Sequence, residues 1–375
     1  MELPIETIDD VLPYIREGSG IIVSTRPDHT VIDYVFSTEE TFDSAMALQC
    51  RGLKFDADGR IIGRPFHKFF NIGEREDPHQ IDWSQPHRVT DKLDGSMVHA
   101  ALLNGELVFM TRMGVTEQSR QAQQLASDGE LRFCRERLAA GQTPIFEYTG
   151  PDNRVVVAYE EPQLTLLAVR DMVSGRYLAH DELVSLGTER ALSVVETFAS
   201  MDDIKRFMAT ARDREGAEGF VIAFDDGHRL KLKADGYVLR HRALASVHLE
   251  KNVLAWVATQ AIDDVVPLLS PDIAARVLEY QSAVEGGIKV CSDRIEDFHN
   301  AHRHLSRKDY ARTVQDKLPK PMRSIAFARL DGKSVRDGLL AQLNWASGSQ
   351  ARIDDVRSCY GFGWSTKGLT VPELG

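Results

Sequence analysis

Through residues 1–240, apolar and polar positions mostly alternate in short runs separated by turn residues. Runs at 20–25 and 31–36 flank Arg26-Pro27-Asp28-His29-Thr30 and predict a β-hairpin. Leu53-Lys54-Phe55 and Arg60-Ile61-Ile62 flank Asp56-Ala57-Asp58-Gly59 and predict a second. Residues 99–103 and 106–110 flank Asn104-Gly105, a dipeptide suited to tight two-residue turns, and predict a third. Strand-like runs recur at 144–148, 164–170, 219–224 and 228–233, with helical composition at 119–139 and 201–214. Hairpins interrupted by helices, with no repeating strand–helix–strand unit, predict an α+β domain of antiparallel sheets and flanking helices.

Beyond Arg240 the period changes. Leu249, Val253, Trp256 and Val257 recur at helical spacing, as do Ile273, Val277, Tyr280, Val284, Ile288, Ile295 and Phe298. Gly286-Gly287 falls inside the second stretch and predicts a kink or split there. Shorter helices are predicted at 307–317 and 334–345. The pattern divides the chain into an α+β domain over residues 1–240 and an all-helical C-terminal domain over 241–375.

Composition narrows the classes. The 375 residues carry 45 Lys+Arg and 56 Asp+Glu, a formal net charge of −11, and 43% are hydrophobic. This is the balance of a soluble globular protein, and it argues against a protein that coats nucleic acid through a broad basic field. No apolar run reaches the ~18 residues of a membrane span. Met1-Glu2-Leu3-Pro4-Ile5-Glu6 lacks the basic and apolar regions of a secretory signal. Cys50, Cys134, Cys291 and Cys359 form neither a CxxC pair nor a metal pattern. A cytoplasmic protein with reduced, buried thiols is the expectation.

The candidate chemistry begins at Thr90-Asp91-Lys92-Leu93-Asp94-Gly95-Ser96, ahead of the third hairpin. A lysine attacks phosphorus only as the neutral amine, so a nucleophilic Lys92 needs a pKa below the ordinary ~10.4, through burial or neighbouring cations. Gly95 permits a tight turn and close approach of backbone to a ligand. Alone, Lys92 reads equally well as a solvated turn lysine. Later segments change that balance: Phe146-Glu147-Tyr148 ends one strand-like run, and Glu218-Gly219-Phe220-Val221-Ile222 opens another. Leu230-Lys231-Leu232-Lys233 then places two lysines on one face of a strand. That arrangement is costly unless an anion lies between the ammoniums, and a polyphosphate would gain charge-assisted contacts from both.

Lys-x-Asp-Gly, a central Glu, Glu-Gly-apolar and Lys-x-Lys, in this order, resemble the covalent nucleotidyltransferase superfamily of DNA ligases, RNA ligases and mRNA capping enzymes. The finer match is similar to the phage RNA ligase 1 family of ATP-dependent tRNA-repair ligases. It includes Cys50-Arg51-Gly52, Arg64-Pro65-Phe66-His67-Lys68-Phe69-Phe70-Asn71 and Ser96. It extends to Pro151-Asp152-Asn153-Arg154 and Asp235-Gly236-Tyr237-Val238. The resemblance is strong over residues 50–240 and weaker, though collinear, beyond. Where the family carries a basic-Ser-basic-Gly run, this chain reads Thr111-Arg112-Met113-Gly114, leaving Arg112 the one basic residue there.

The resemblance implies that Lys92 takes AMP from ATP, that Asp94 orients it and that Gly95 shapes the turn. It implies ATP-phosphate contacts for Arg51 and Lys68, a nucleotide-lining role for Phe70 and ribose contacts for Glu147. Glu218 would act near the nucleophile and metal. Lys231 and Lys233 would hold the α-phosphate and departing pyrophosphate, and their positive charge offers a reason for a depressed Lys92 pKa. Tyr237 with Asp263 and Asp264 resembles a second metal site. The cofactors implied are ATP and Mg²⁺, with Mn²⁺ as an alternative.

The implied activity is RNA ligation through lysyl-AMP and RNA-adenylate, joining a 3′-hydroxyl to a 5′-phosphate, with cleaved tRNA as a candidate substrate. Without a GxxxxGK[ST] loop, end healing by kinase and phosphatase falls to a separate chain. No membrane partner is expected, and the setting is the cytoplasm of a phage-infected or bacterial cell. The competing readings are a DNA ligase or capping-type enzyme, which generally continue into a β-rich domain, and an inactive RNA-binding homologue. Residues 301–333 hold nine Lys/Arg against Asp309, Asp316 and Asp331, a segment that could grip structured RNA by its phosphates.

Overall fold

The structure is a computed structural model that describes residues 3–38, 40–78, 80–198, 207 and 210–369. The chain divides into two compact units, Met1–Val238 and Leu239–Gly375. The first begins with strands β1 (Ile21–Thr25), β2 (His29–Tyr34), β3 (Leu53–Asp56) and β4 (Ile61–Gly63), antiparallel in that order. β5 (Phe70–Asn71) and β6 (His87–Lys92) then open a second sheet. The chain leaves it to build a third from β7 (Ser96–Leu103), β8 (Glu106–Met110), β9 (Gln142–Thr149) and β10 (Gln163–Asp171), ordered β10-β9-β7-β8. It returns with β11 (Thr197–Phe198), β12 (Gly219–Phe224) and β13 (Arg229–Lys233), giving the order β11-β6-β12-β13-β5. Within these sheets, the β13–β5 pairing is parallel and the others are antiparallel.

Period-two alternation gives the β6-β12-β13 sheet two unlike faces. Val89, Phe220, Ile222, Leu230 and Leu232 pack beneath Phe207 and Ala211. Opposite them, the registers align Lys92–Gly219–Lys233, Thr90–Val221–Lys231 and Arg88–Ala223–Arg229 in three rows. The polar rows belong to the face away from that core.

Helical composition at 119–139 resolves into two helices, Glu117–Leu125 and Asp128–Ala139. Ser127 divides them because its side chain accepts from the Glu130 N–H, while Glu130 returns a bond to the Ser127 N–H at 2.7 Å. This reciprocal box starts a new helix. In the stretch read as helical over 201–214, residues 201–206 and 208–209 lie outside the described residues, and 210–212 are helical.

The described part of the second unit is helical, without strands. Arg307–Lys317 forms where the periodicity places it, followed by Lys320–Leu330, Val335–Ala346 and Gln350–Tyr360. Pro271–His302 runs as one 32-residue helix straight through Gly286-Gly287, contrary to the expected break. A Cβ on Gly287 would stand 2.2 Å from the Tyr360 carbonyl oxygen, so this glycine permits close helix approach rather than a kink. Among the described residues, no helix is long and apolar enough to cross a membrane.

Candidate active site

Lys92 ends β6, Glu218 immediately precedes β12 and Lys233 ends β13, three adjacent strands whose register brings these side chains together. Glu218 spans both cations: Oε2 lies 2.7 Å from Lys92 Nζ and Oε1 3.0 Å from Lys233 Nζ. Burial opposes ionisation of Glu218, but the two ammoniums overcome it and hold its carboxyl below the usual range. Burial likewise disfavours charged Lys92, yet Glu218, with Glu147 and Asp94 adding to it, lifts the Lys92 pKa above its ordinary value. The depressed pKa expected from the sequence is therefore reversed, because the nearest neighbour of Lys92 is a carboxylate rather than another lysine.

Lys231 differs from its strand partner. Its Nζ sits 4.8 Å from the centre of the Phe69 ring, and no ion pair to it occurs among the described residues. Burial, with Arg51, Lys92 and Lys68 nearby, pushes its pKa down to about 7. Lys68 donates to the Tyr34 hydroxyl at 3.3 Å and faces the Tyr34, Phe42 and Phe70 rings. Arg112 stacks on the same Tyr34 ring, 4.4 Å from its centre, while pairing with Asp33 at 3.3 Å. Arg51 donates to the Phe66 carbonyl at 3.3 Å. Burial opposes Tyr34 ionisation, but Lys68, Arg112 and Arg51 together draw its hydroxyl pKa down. These cations form a wall with little opposing charge, suited to polyphosphate.

The turn carrying the nucleophile is held from several sides. Asp94 is 2% exposed and accepts from the Val156 and Val157 N–H groups, both at 2.7 Å, and from the Tyr237 hydroxyl at 2.8 Å. Its own N–H donates to the Tyr159 hydroxyl at 3.0 Å. The carboxylate is thus occupied in fixing the turn. A Cβ on Gly95 would lie 2.2 Å from the Tyr148 carbonyl oxygen, so only glycine lets the turn press against β9. The Gly95 N–H reaches Glu147 Oε1 at 3.1 Å. Burial pushes the Glu147 carboxyl up to about 8, with Lys92 pulling the other way. Asn153 completes the hold by accepting from Ser96 Oγ at 2.9 Å and donating to the Tyr148 carbonyl at 2.6 Å.

The structure therefore gathers Lys92, Asp94, Gly95, Glu147, Glu218, Lys231 and Lys233, and links Arg51, Lys68 and Phe70 to the neighbouring cationic wall. Asp263 and Asp264 belong to the second unit, exposed on the short helix Ile262–Val265. Among the described residues, no three His, Cys, Asp or Glu side chains gather where a metal could sit. In the basic stretch of that unit, Arg307 pairs with Asp331 at 2.7 Å and Arg329 with Glu296 at 2.8 Å, which reduces its free positive charge.

Sequence reasoning passed over Tyr34, Tyr159 and a cleft of about 610 Å³ lined by Thr90, Ala168, Tyr177, Ala223 and Arg229. The cleft's only sequence signal is parity, since Thr90, Ala223 and Arg229 share the sheet face that bears Lys92, Lys231 and Lys233.

The profile of the family described as RNA ligase matches residues 49–238, which contain the strands that carry Lys92, Glu147, Lys231 and Lys233. RNA ligase 1 of Bacteriophage TS2126 is 30% identical over 361 residues, covering 90% of this chain and 87% of that protein. The RNA ligase of Rhodothermus phage RM378 is 25% identical over 84% of this chain and 87% of its own length. A Thermovibrio ammonificans protein, provisionally named an RNA ligase, is 31% identical over 64% of this chain and 66% of its own length. The nucleophile turn, the bridging glutamate and the lysine pair all fall inside the matched span, and the chain belongs to the RNA ligase family that includes the phage RNA ligase 1 proteins.

Proposed function

We propose that this chain is an ATP-dependent RNA ligase that joins a 3′-hydroxyl to a 5′-phosphate through lysyl-AMP and RNA-adenylate. The observation that carries the reading is the Glu218 carboxylate, bridging Lys92 and Lys233 beside Lys231, which has no carboxylate partner among the described residues. In the first step Lys92 Nζ forms a bond to the α-phosphorus of ATP, and the bond to the β-phosphate oxygen breaks, releasing pyrophosphate. The Lys92 proton must leave to solvent first, which requires its ion pair with Glu218 Oε2, 2.7 Å away, to be broken as the nucleotide enters. Lys231 and Lys233 then face the charge that develops on the phosphate oxygens. An RNA 5′-phosphate next displaces Lys92 from the AMP phosphorus, and an RNA 3′-hydroxyl attacks the activated 5′-phosphorus and expels AMP.

Glu218 would hold a divalent cation, Mg²⁺ or Mn²⁺, as suits a metal bound by few carboxylates beside phosphates, and the ion would neutralise developing charge. Cleaved tRNA is the substrate we favour, with its ends prepared by a separate kinase and phosphatase in the cytoplasm. The unpaired basic residues of 301–333 are suited to its phosphates.

The test is incubation with α-³²P-ATP and Mg²⁺, comparing wild type with Lys92→Ala, followed by 5′-phosphorylated RNA or nicked DNA as acceptor. Acid-labile label that depends on Lys92 and passes to RNA is expected. A wild-type protein that takes no label, or passes it to nicked DNA alone, overturns the proposal.

A further inference from the structure

Lys54 lies outside the machinery described above, and its placement is unusual. It occupies the middle of β3, is 0% exposed, and donates from Nζ to the Gly52 carbonyl at 2.6 Å and the Arg112 carbonyl at 2.9 Å. Those carbonyls belong to separate segments, one entering β3 and the other following β8. Each segment carries an arginine of the cationic wall, Arg51 or Arg112. Asp33, 1% exposed, pairs with the Arg112 guanidinium, while its Oδ2 has no hydrogen-bond partner among the described residues. Burial and the charges of Arg26, Arg112 and Arg51 push the Lys54 pKa down to about 7, with Asp33 pulling it upward.

Burying a lysine fully is expensive, and an aliphatic residue would suit a strand buried along its first three positions. What a lysine adds is a set of donors at the end of a long stem, able to tie two backbone segments at once. We infer that Lys54 is a positioning residue for ATP, its Nζ stapling the Arg51 and Arg112 segments so that both guanidinium groups are preset for the phosphates. This inference rests on the ligase reading above. Lys54 touches neither the nucleophile turn nor the β12–β13 hairpin in any hydrogen bond or ion pair among the described residues. Its influence should therefore fall on ATP capture and spare the later sealing step.

The experiment compares wild type, Lys54→Met and Lys54→Gln. The first variant keeps the stem and loses the donors; the second keeps one amide donor group. Lysine-AMP formation is measured against ATP concentration, sealing of chemically pre-adenylylated RNA is measured without ATP, and thermal melting monitors folding. The expected result for Lys54→Met is at least a tenfold rise in half-saturating ATP, with sealing of pre-adenylylated RNA within twofold of wild type. Lys54→Gln should fall between the two. An unchanged ATP dependence overturns the inference, as does a parallel loss of both activities with melting, because Lys54 would then only support the fold. Failure of the ligase reading is seen separately, as wild-type protein that takes no label at all.

Discussion

Replacing Glu218 by Gln removes one charge from the centre of the site while keeping its shape. The carboxylate oxygens lie 2.7 Å from Lys92 Nζ and 3.0 Å from Lys233 Nζ. With the charge spread over two oxygens, an effective separation of about 4 Å at an effective dielectric of about 20 gives about 4 kcal/mol. That corresponds to about three pKa units. Lys92 now titrates above its ordinary value because Glu218 outweighs burial. In Glu218→Gln, burial acts with less opposition, and Lys92 should lose its proton about three pH units earlier. The assay is competitive acetylation with acetic anhydride from pH 6 to 11, reading modification of the Lys92 peptide by mass spectrometry against the α-amino group as internal standard. A Lys92 profile that moves by less than half a unit refutes the reasoning, since Glu218 would then not govern the nucleophile's charge.

Gly95→Ala forces a Cβ to 2.2 Å from the Tyr148 carbonyl oxygen, so the turn must shift. Misplacement of the nucleophile on the order of 1 Å should slow lysine-AMP formation by about 100-fold, measured as single-turnover label incorporation. Glu147 has a folded-state pKa raised to about 8, so its contribution is fully present below the unfolded carboxylate pKa and is lost as pH rises through about 8. Glu147→Gln escapes that loss. Its melting temperature should gain on wild type between pH 5 and 9, and a constant difference would contradict the linkage. In the helical unit, Arg357 forks onto Glu250 at 2.6 and 2.9 Å, and Glu250 is 7% exposed. Arg357→Met leaves that carboxylate buried without its cation and should cost about 3 kcal/mol in urea unfolding.

Much of the site could be read from sequence because charged residues inside strand-like runs are conspicuous. Lys231 and Lys233 interrupt an apolar alternation, and parity alone places them on one face. Lys92 and Glu218 were identifiable by motif, but their contact was not, since it depends on β12 pairing with β6 across 126 positions of sequence. That contact decides the direction of the Lys92 pKa, which is why the sequence-based expectation had the wrong sign. Lys54 was hidden for a different reason. Leu53-Lys54-Phe55 reads as an alternating strand with its lysine toward water, yet Leu53, Lys54 and Phe55 are all buried. The split between Glu117–Leu125 and Asp128–Ala139 was marked by the Ser127–Glu130 box, a local signal overshadowed by the overall helical composition.

The bridge formed by Glu218 also bears on how this sheet acquires its alignment. Gly219 stands opposite both Lys92 and Lys233, so the strand that brings the carboxylate is threaded between the two strands that bring the cations. Sliding β12 by one residue would invert its faces and carry Glu218 about 3.3 Å along the sheet, away from two ammoniums left side by side. Such an error would expose Phe220 and Ile222 on the polar face and leave two like charges uncompensated. The residues that perform the chemistry therefore also act as a registration mark for folding, and a misaligned chain is penalised at its own reaction centre.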